Sequence, residues 1–149
     1  KIFNAYIDAY ILCPMIGYQY NRKGVIDNTV SGEAGMMADV FKERRAQLKF
    51  VYQTLMLLDT DSEPDLEKRV YRAFTFAENT KEEKQFISDN MKIYNSYFLG
   101  GLEVLHEEFV DQCIDEDSYL KQMFDYVRHF DEEQDGDALK EGIEKFINK

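Results

Sequence analysis

The sequence predicts an all-α protein: a single-domain bundle of about six helices around one long central helix, residues 80–113. Apolar residues recur at steps of three or four over long stretches, the period of one helix face. Only two prolines interrupt 149 residues. The 44% hydrophobic content is that of an ordinary globular chain, and the length allows one domain with a sizeable core.

The first helix is expected over residues 2–16, with Phe3, Ile7, Tyr10 and Ile11 on one stripe. Pro14 removes an amide donor and crowds the preceding turn, so the helix should end or kink there. Gly17 supplies a stop. Residues 18–24 then read as a polar, aromatic loop. Its Tyr18 and Tyr20 alternate with Arg22 and Lys23, a pattern able to stack on bases and neutralise phosphates. The alternative is a loop whose tyrosines pack on the domain edge.

The second helix is expected over residues 33–58, after a loop of turn-forming residues from 25 to 35. Ala34, Met37, Phe41, Leu48, Val51, Leu55 and Leu58 form its seam. Arg44 takes the one seam position that should be apolar. Buried, it would need a carboxylate or a ligand anion; at the seam edge its head reaches water. Lys42, Arg45 and Lys49 form a separate basic stripe on the outer face. That stripe suits an acidic protein partner or nucleic acid, or is simply a solvated face.

Residues 59–65 form an acidic connector. Ser62 or Asp61 can cap a third helix with Pro64 in its first turn, and Leu66, Val70, Phe74 and Ala77 give it an inward stripe. The alternating Asp59, Asp61, Glu63 and Asp65 fail as a calcium loop, because Pro64 stands where a glycine must turn and no glutamate occupies position twelve.

Thr80 and Glu83 have capping-box spacing and open the central helix. Ile87, Met91, Tyr94, Phe98, Leu102, Leu105 and Phe109 form its stripe. Gly100 and Gly101 lie inside it, each costing up to about 1 kcal/mol relative to alanine. They mark a kink, close helix packing, or the floor of a ligand groove that would include Glu103 and His106. Glu103-x-x-His106 has the spacing of half a di-iron site, but a second such motif is missing, since Tyr126 precedes His129. A single metal held by Glu103, His106 and Glu107 is no better supported. We therefore expect no metal and no cofactor.

A fifth helix is expected over residues 118–130, with Leu120, Met123, Phe124 and Val127 inward. Asp131, Glu133, Asp135 and Gly136 begin a calcium-like loop, yet position twelve is Gly142. The other reading is a turn in which Asp137 caps a sixth helix, docked through Leu139, Ile143, Phe146 and Ile147.

Net charge is −11 but uneven: residues 1–58 hold seven Lys/Arg against five acids, and residues 59–149 eleven against 24. The surface as a whole repels nucleic acid and anionic membrane without excluding a local basic contact. Cys13 and Cys113 form neither a zinc box nor a disulfide framework and are expected to be reduced, in the cytoplasm. No apolar run reaches the roughly 18 residues that cross a bilayer. A chain beginning at Lys1 fits a fragment or a processed form. Phosphate loops, nucleophile elbows and paired zinc ligands are missing, so no catalytic residues are assigned.

Two stretches carry a resemblance. One is Phe3-Asn-Ala-Tyr6-Ile-Asp8, continuing to Ile16-Gly17-Tyr18 and the basic Arg22-Lys23-Gly24. The other is Tyr97-Phe-Leu-Gly100-Gly101-Leu102-Glu103-Val-Leu105. Together they resemble small helical proteins associated with bacterial DNA phosphorothioation (Dnd-type) restriction systems, which pair an early aromatic helix ending in Gly-Tyr and basic residues with a later Gly-Leu-Glu helix. The resemblance implies an accessory role in phage defence rather than a defined reaction. The reading that results is a non-catalytic accessory or adaptor protein that binds another protein. Nucleic-acid binding through Tyr18, Tyr20, Arg22, Lys23, Lys42, Arg45 and Lys49 is the second reading. A metal- or ligand-binding bundle at Gly100, Glu103 and His106 is the third.

Overall fold

The computed structural model describes residues 3–25, 38–111 and 116–134. All regular structure among them is helical. The helices are α1 (Tyr6–Gln19), α2 (Ala38–Glu43), α3 (Arg45–Leu58), α4 (Leu66–Phe74), α5 (Lys81–His106) and α6 (Glu116–Gln134). A single π-type turn, Glu107–Asp111, follows α5. The chain divides into two compact units, Lys1–Val104 and Leu105–Lys149. Residues 26–37, Cys113 and the expected C-terminal helix with Leu139, Ile143, Phe146 and Ile147 lie outside the described residues.

The central helix starts where its sequence signals. Thr80 Oγ1 accepts from the Glu83 amide at 3.1 Å, and the Glu83 carboxylate accepts from the Thr80 and Asn79 amides at 3.0 and 2.8 Å. Orphan donors at the helix start are thus satisfied.

Of the two outcomes expected at Pro14, a helix end or a kink, the end does not occur. α1 runs on to Gln19, with Pro14 buried inside it. Proline has no amide to give the carbonyl of residue i−4, here Tyr10. The Tyr94 hydroxyl, from α5, donates to that carbonyl at 2.8 Å. A bond across the core replaces the one missing from the ladder. We expect Tyr94→Phe to cost about 1–2 kcal/mol, because it removes the donor from a part-buried carbonyl that Pro14 cannot satisfy. In a Pro14→Ala background, which restores the local amide, the penalty should shrink. A double-mutant cycle read by chemical denaturation measures the coupling; a value of zero would mean that this bond does not hold the helix together at Pro14.

Nor is Gly17 the stop. Asn21 ends α1, with φ at +48°. Its amide donates to the Tyr18 carbonyl at 3.0 Å, and the Arg22 amide to the Gly17 carbonyl at 2.7 Å. These two bonds are a Schellman termination, in which asparagine tolerates the left-handed conformation. Gly17 instead lies where α1 crosses α5. A Cβ there would overlap the Tyr97 carbonyl oxygen, and one at Gly101 would overlap the Cys13 carbonyl oxygen. A Cβ at Gly100 would overlap the Arg22 carbonyl. The glycine pair is therefore a backbone contact. The groove expected over Gly100, Gly101, Glu103 and His106 has no space at the glycines.

The helix expected over residues 33–58 is broken at Arg44, which lies between α2 and α3 with φ −99° and ψ 9°. No proline or glycine marks this point. Arg44 is not a buried seam residue: its side chain is half-exposed, with Nη1 3.2 Å from Gln47 Oε1 and Nη2 3.9 Å from Asp8. Below the break, Val51, Tyr52, Leu55 and Met56 join Ala73, Tyr94 and Tyr97 in the core.

The connector turns α4 back onto α3. Its cap is Asp65, whose carboxylate accepts from the Lys68 amide at 3.0 Å, rather than Ser62 or Asp61; Pro64 precedes the helix instead of opening it. α4 is also rotated from the expected orientation. Leu66, Val70 and Phe74 are 61%, 43% and 57% exposed, while Arg72 and Ala73 are buried. In this orientation the Arg72 guanidinium reaches the buried Asp59 carboxylate at 3.3 Å, a charge that would otherwise lack a partner from α4.

In the second unit, Phe109 is buried against Tyr119 and Tyr126, with ring centres 6.0 and 5.1 Å apart. α6 thus turns its tyrosines inward. Leu120, Phe124 and Val127, expected inside, are more than 60% exposed. Asp131 and Glu133 stand in the helix, so the calcium-like loop does not begin at Asp131.

Candidate functional site

A groove of about 760 Å³ opens in the first unit between α1, α2, α3, α5 and the segment after α4. Its floor is a run of aromatic rings in contact. Phe41 meets Tyr10 edge-on at 6.4 Å, Tyr10 meets Tyr94 at 5.2 Å, Tyr94 meets Tyr52 at 6.3 Å, and Tyr52 meets Phe76 at 5.7 Å. Leu48, Ile87 and Met91 add aliphatic surface. Each of these residues comes from a helix whose apolar period turns it inward, except Phe76, which follows α4 and remains 47% exposed.

The floor is neutral. Burial pushes the Tyr10 phenol up to about 12 and raises Tyr94 as well. Burial raises Tyr52 too, against the opposing effects of its hydrogen bond with Asn90 and the Arg72 charge. The phenols therefore stay protonated at physiological pH. Tyr10 donates to Asn95 Oδ1 at 2.7 Å, and Tyr52 donates to the Arg72 carbonyl at 3.2 Å, so their polar ends are occupied within the fold.

The rim is cationic. Lys42, Arg45 and Lys49, read from the sequence as an outer basic stripe, all line this groove. They are exposed, and Lys49 Nζ sits 5.1 Å above the Phe76 ring centre. Lys42 pairs with Asp39 at 3.4 Å, a contact worth little on an exposed helix turn. Among the described residues, Arg45 and Lys49 have no carboxylate within ion-pair distance. Glu78 is the acidic group of the wall.

The other sequence candidates lie elsewhere. Tyr18 packs against Tyr97 with ring centres 6.0 Å apart, and its hydroxyl lies 3.3 Å from the Leu58 carbonyl. Lys23 is drawn to Asp59 and Ser62, 3.4 and 3.1 Å away, and lies over the Tyr97 ring at 4.7 Å. Arg22 pairs with Glu103 at 3.2 Å. Only Tyr20 of this loop presents a ring that is 43% exposed. Tyr18 and Lys23 are thus packed into the fold, while Tyr20 is turned outward. The loop does not join Lys42, Arg45 and Lys49 in one surface. His106 pairs with Asp111 at 3.5 Å, and among the described residues no group of three His, Cys, Asp or Glu could hold a metal ion.

A buried polar cluster escaped the sequence reading. Asp59, fully buried at the end of α3, accepts from the Tyr97 hydroxyl at 2.9 Å, Arg72 Nη2 at 3.3 Å and the Ser62 amide at 3.3 Å. Burial acts to raise its pKa. The hydrogen bonds from Ser62 and Tyr97 and the charge of Lys23 outweigh that effect and hold the carboxyl below the usual carboxylate value. The same carboxylate, together with burial, pushes the Tyr97 phenol well above its ordinary value. Nothing in the spacing of an acidic connector distinguishes one buried aspartate from its solvated neighbours. Every strong donor around Asp59 belongs to the fold, so the cluster acts as a clamp between α3, α4 and α5.

The fold and the groove together define an all-helical protein with an aromatic trough edged by cations. Comparison with protein-family models, with curated proteins and with solved structures gives no match. No described helix is long and apolar enough to cross a membrane.

Proposed function

We propose that the protein is a non-catalytic intracellular adaptor that binds another protein through the groove edged by Lys42, Arg45 and Lys49. The observation that carries this reading is the pairing of exposed cations with an apolar aromatic floor. Such a surface buries area at its centre and discriminates by charge at its edge. Its phenols are already hydrogen-bonded and protonated, which suits a packing surface better than general acid–base chemistry. The outward apolar residues of α4, Leu66, Val70 and Phe74, give the first unit a further contact face. The resemblance to accessory proteins of DNA phosphorothioation systems adds that the partner belongs to DNA modification or restriction machinery.

The test is a tagged pull-down from the native host with nuclease present, comparing wild type with K42E/R45E/K49E. A protein partner retained by wild type and lost by the charge-reversed chain is the expected result, and the interaction should weaken as salt rises. A partner held equally by both chains would exclude the groove. Loss of all partners on nuclease treatment would favour nucleic-acid binding instead.

A further inference from the structure

The groove also constrains the shape of its occupant. Arg45 and Lys49 stand at i and i+4 on α3, about 6 Å apart along the axis at 1.5 Å per residue, and Lys42 adds a third cation from α2, across the break at Arg44. A helix lying alongside α3 has the same rise, so carboxylates four residues apart would meet Arg45 and Lys49 in register. Its next face, with apolar side chains at i, i+3, i+4 and i+7, would lie on the aromatic floor. An extended peptide that binds by strand addition needs a sheet edge, and no strand exists among the described residues. A small molecule is usually enclosed by its site. Here Phe76 is 47% exposed and the three cations face solvent, leaving an open trough. Glu78 in the wall disfavours an occupant that is acidic on every face. We infer that the groove receives an acidic amphipathic helix of another protein, with its carboxylates toward Lys42, Arg45 and Lys49. This inference rests on the adaptor reading and specifies the partner's form.

The full chain is used to select from a displayed library of random peptides of about 20 residues, long enough to form several helical turns. K42E/R45E/K49E serves as the counter-selection target, after circular dichroism confirms that it is folded. Enriched sequences should carry apolar residues at i, i+3 or i+4, and i+7, with Asp or Glu on one flank. As synthetic peptides they should gain helicity on binding and bind the charge-reversed chain about tenfold more weakly or worse, the loss expected for three rim charges. Enrichment of proline-rich or non-acidic peptides, still dependent on the three cations, overturns the helix while leaving the adaptor reading intact. The same holds if the host partner captured by the groove presents an extended segment. Absence of cation-dependent peptides, preference for a labelled oligonucleotide, or cross-linking that finds the groove filled by a second copy or by another segment of the same chain overturns the inference. A host partner insensitive to K42E/R45E/K49E overturns the adaptor reading as well.

Discussion

Asp59→Ala should destabilise the protein by about 3–5 kcal/mol, the range for removing one partner of a buried ion pair. Asp59 is fully buried and Arg72 nearly so. The pair's attraction does not by itself stabilise the fold much, because both charges have left water. The loss arises from what the substitution leaves behind. Arg72 would keep a buried charge with Met56 Sδ as its remaining side-chain partner, and its Nε already lacks an acceptor among the described residues. The Tyr97 hydroxyl would lose its acceptor as well. Lys23, one-third exposed, can turn to solvent. Asp59→Ala combined with Arg72→Met should therefore recover much of the loss, since the stranded charge is gone. If the double variant is no more stable than Asp59→Ala alone, the penalty comes from something other than Arg72.

The same carboxylate predicts a pH dependence. Tyr97, Ser62, Arg72 and Lys23 face Asp59, and Asp61 lies close enough to act on Tyr97. The folded-state pKa of Asp59 is below 3.8, its ordinary value. The unfolded chain thus binds the proton more readily, and stability present above 3.8 is lost as pH falls through the folded value. Asp59→Asn removes this contribution. The stability gap between wild type and Asp59→Asn should be widest near neutral pH and close below 3.8. A gap that persists unchanged into acid would mean that the ionised form is not what stabilises the fold.

Local signals and long-range ones divide what the sequence revealed from what it hid. Helical class, the long helix and its Thr80–Glu83 start were legible because period and caps act within a few residues. At Pro14 the sequence could not show that the helix continues, because the Tyr94 donor to the Tyr10 carbonyl lies 84 residues away. Gly17 was mistaken for a terminus because sequence shows glycine's freedom but not the neighbour that requires its smallness. The α4 stripe of Leu66, Val70 and Phe74 is a sound amphipathic pattern, but the fold buries the Arg72 face against Asp59 instead. Half of the groove was visible as Lys42, Arg45 and Lys49. The other half was not, because Tyr10, Phe76 and Tyr94 come from separate segments that only the fold brings together.

Gly101→Ala should likewise lower stability, by up to about 2 kcal/mol, even though alanine is the better helix former. The gain in propensity is about 1 kcal/mol. Against it stands the Cys13 backbone: beyond the overlap with its oxygen, the new methyl would lie 2.7 Å from its carbonyl carbon and 3.0 Å from its Cα. These atoms belong to a helix interior and cannot rotate aside as a side chain would, so α1 must lift from α5. Overpacking of this kind typically costs about 1–3 kcal/mol. Gly17 meets Tyr97 at the same crossing, so lifting α1 once relieves both sites. The double variant Gly17→Ala/Gly101→Ala should then cost less than the two single losses added together. Glu103→Gln is the control, because its pair with Arg22 is exposed and should contribute no more than about 1 kcal/mol. The crossing also connects stability to binding. α1 carries Tyr10, which joins Phe41 to Tyr94 in the groove floor. Gly101→Ala should thus weaken groove-dependent peptide binding at temperatures where the chain is still folded, without touching a groove residue. Full affinity in a folded but destabilised Gly101→Ala chain would show that the floor does not depend on the position of α1.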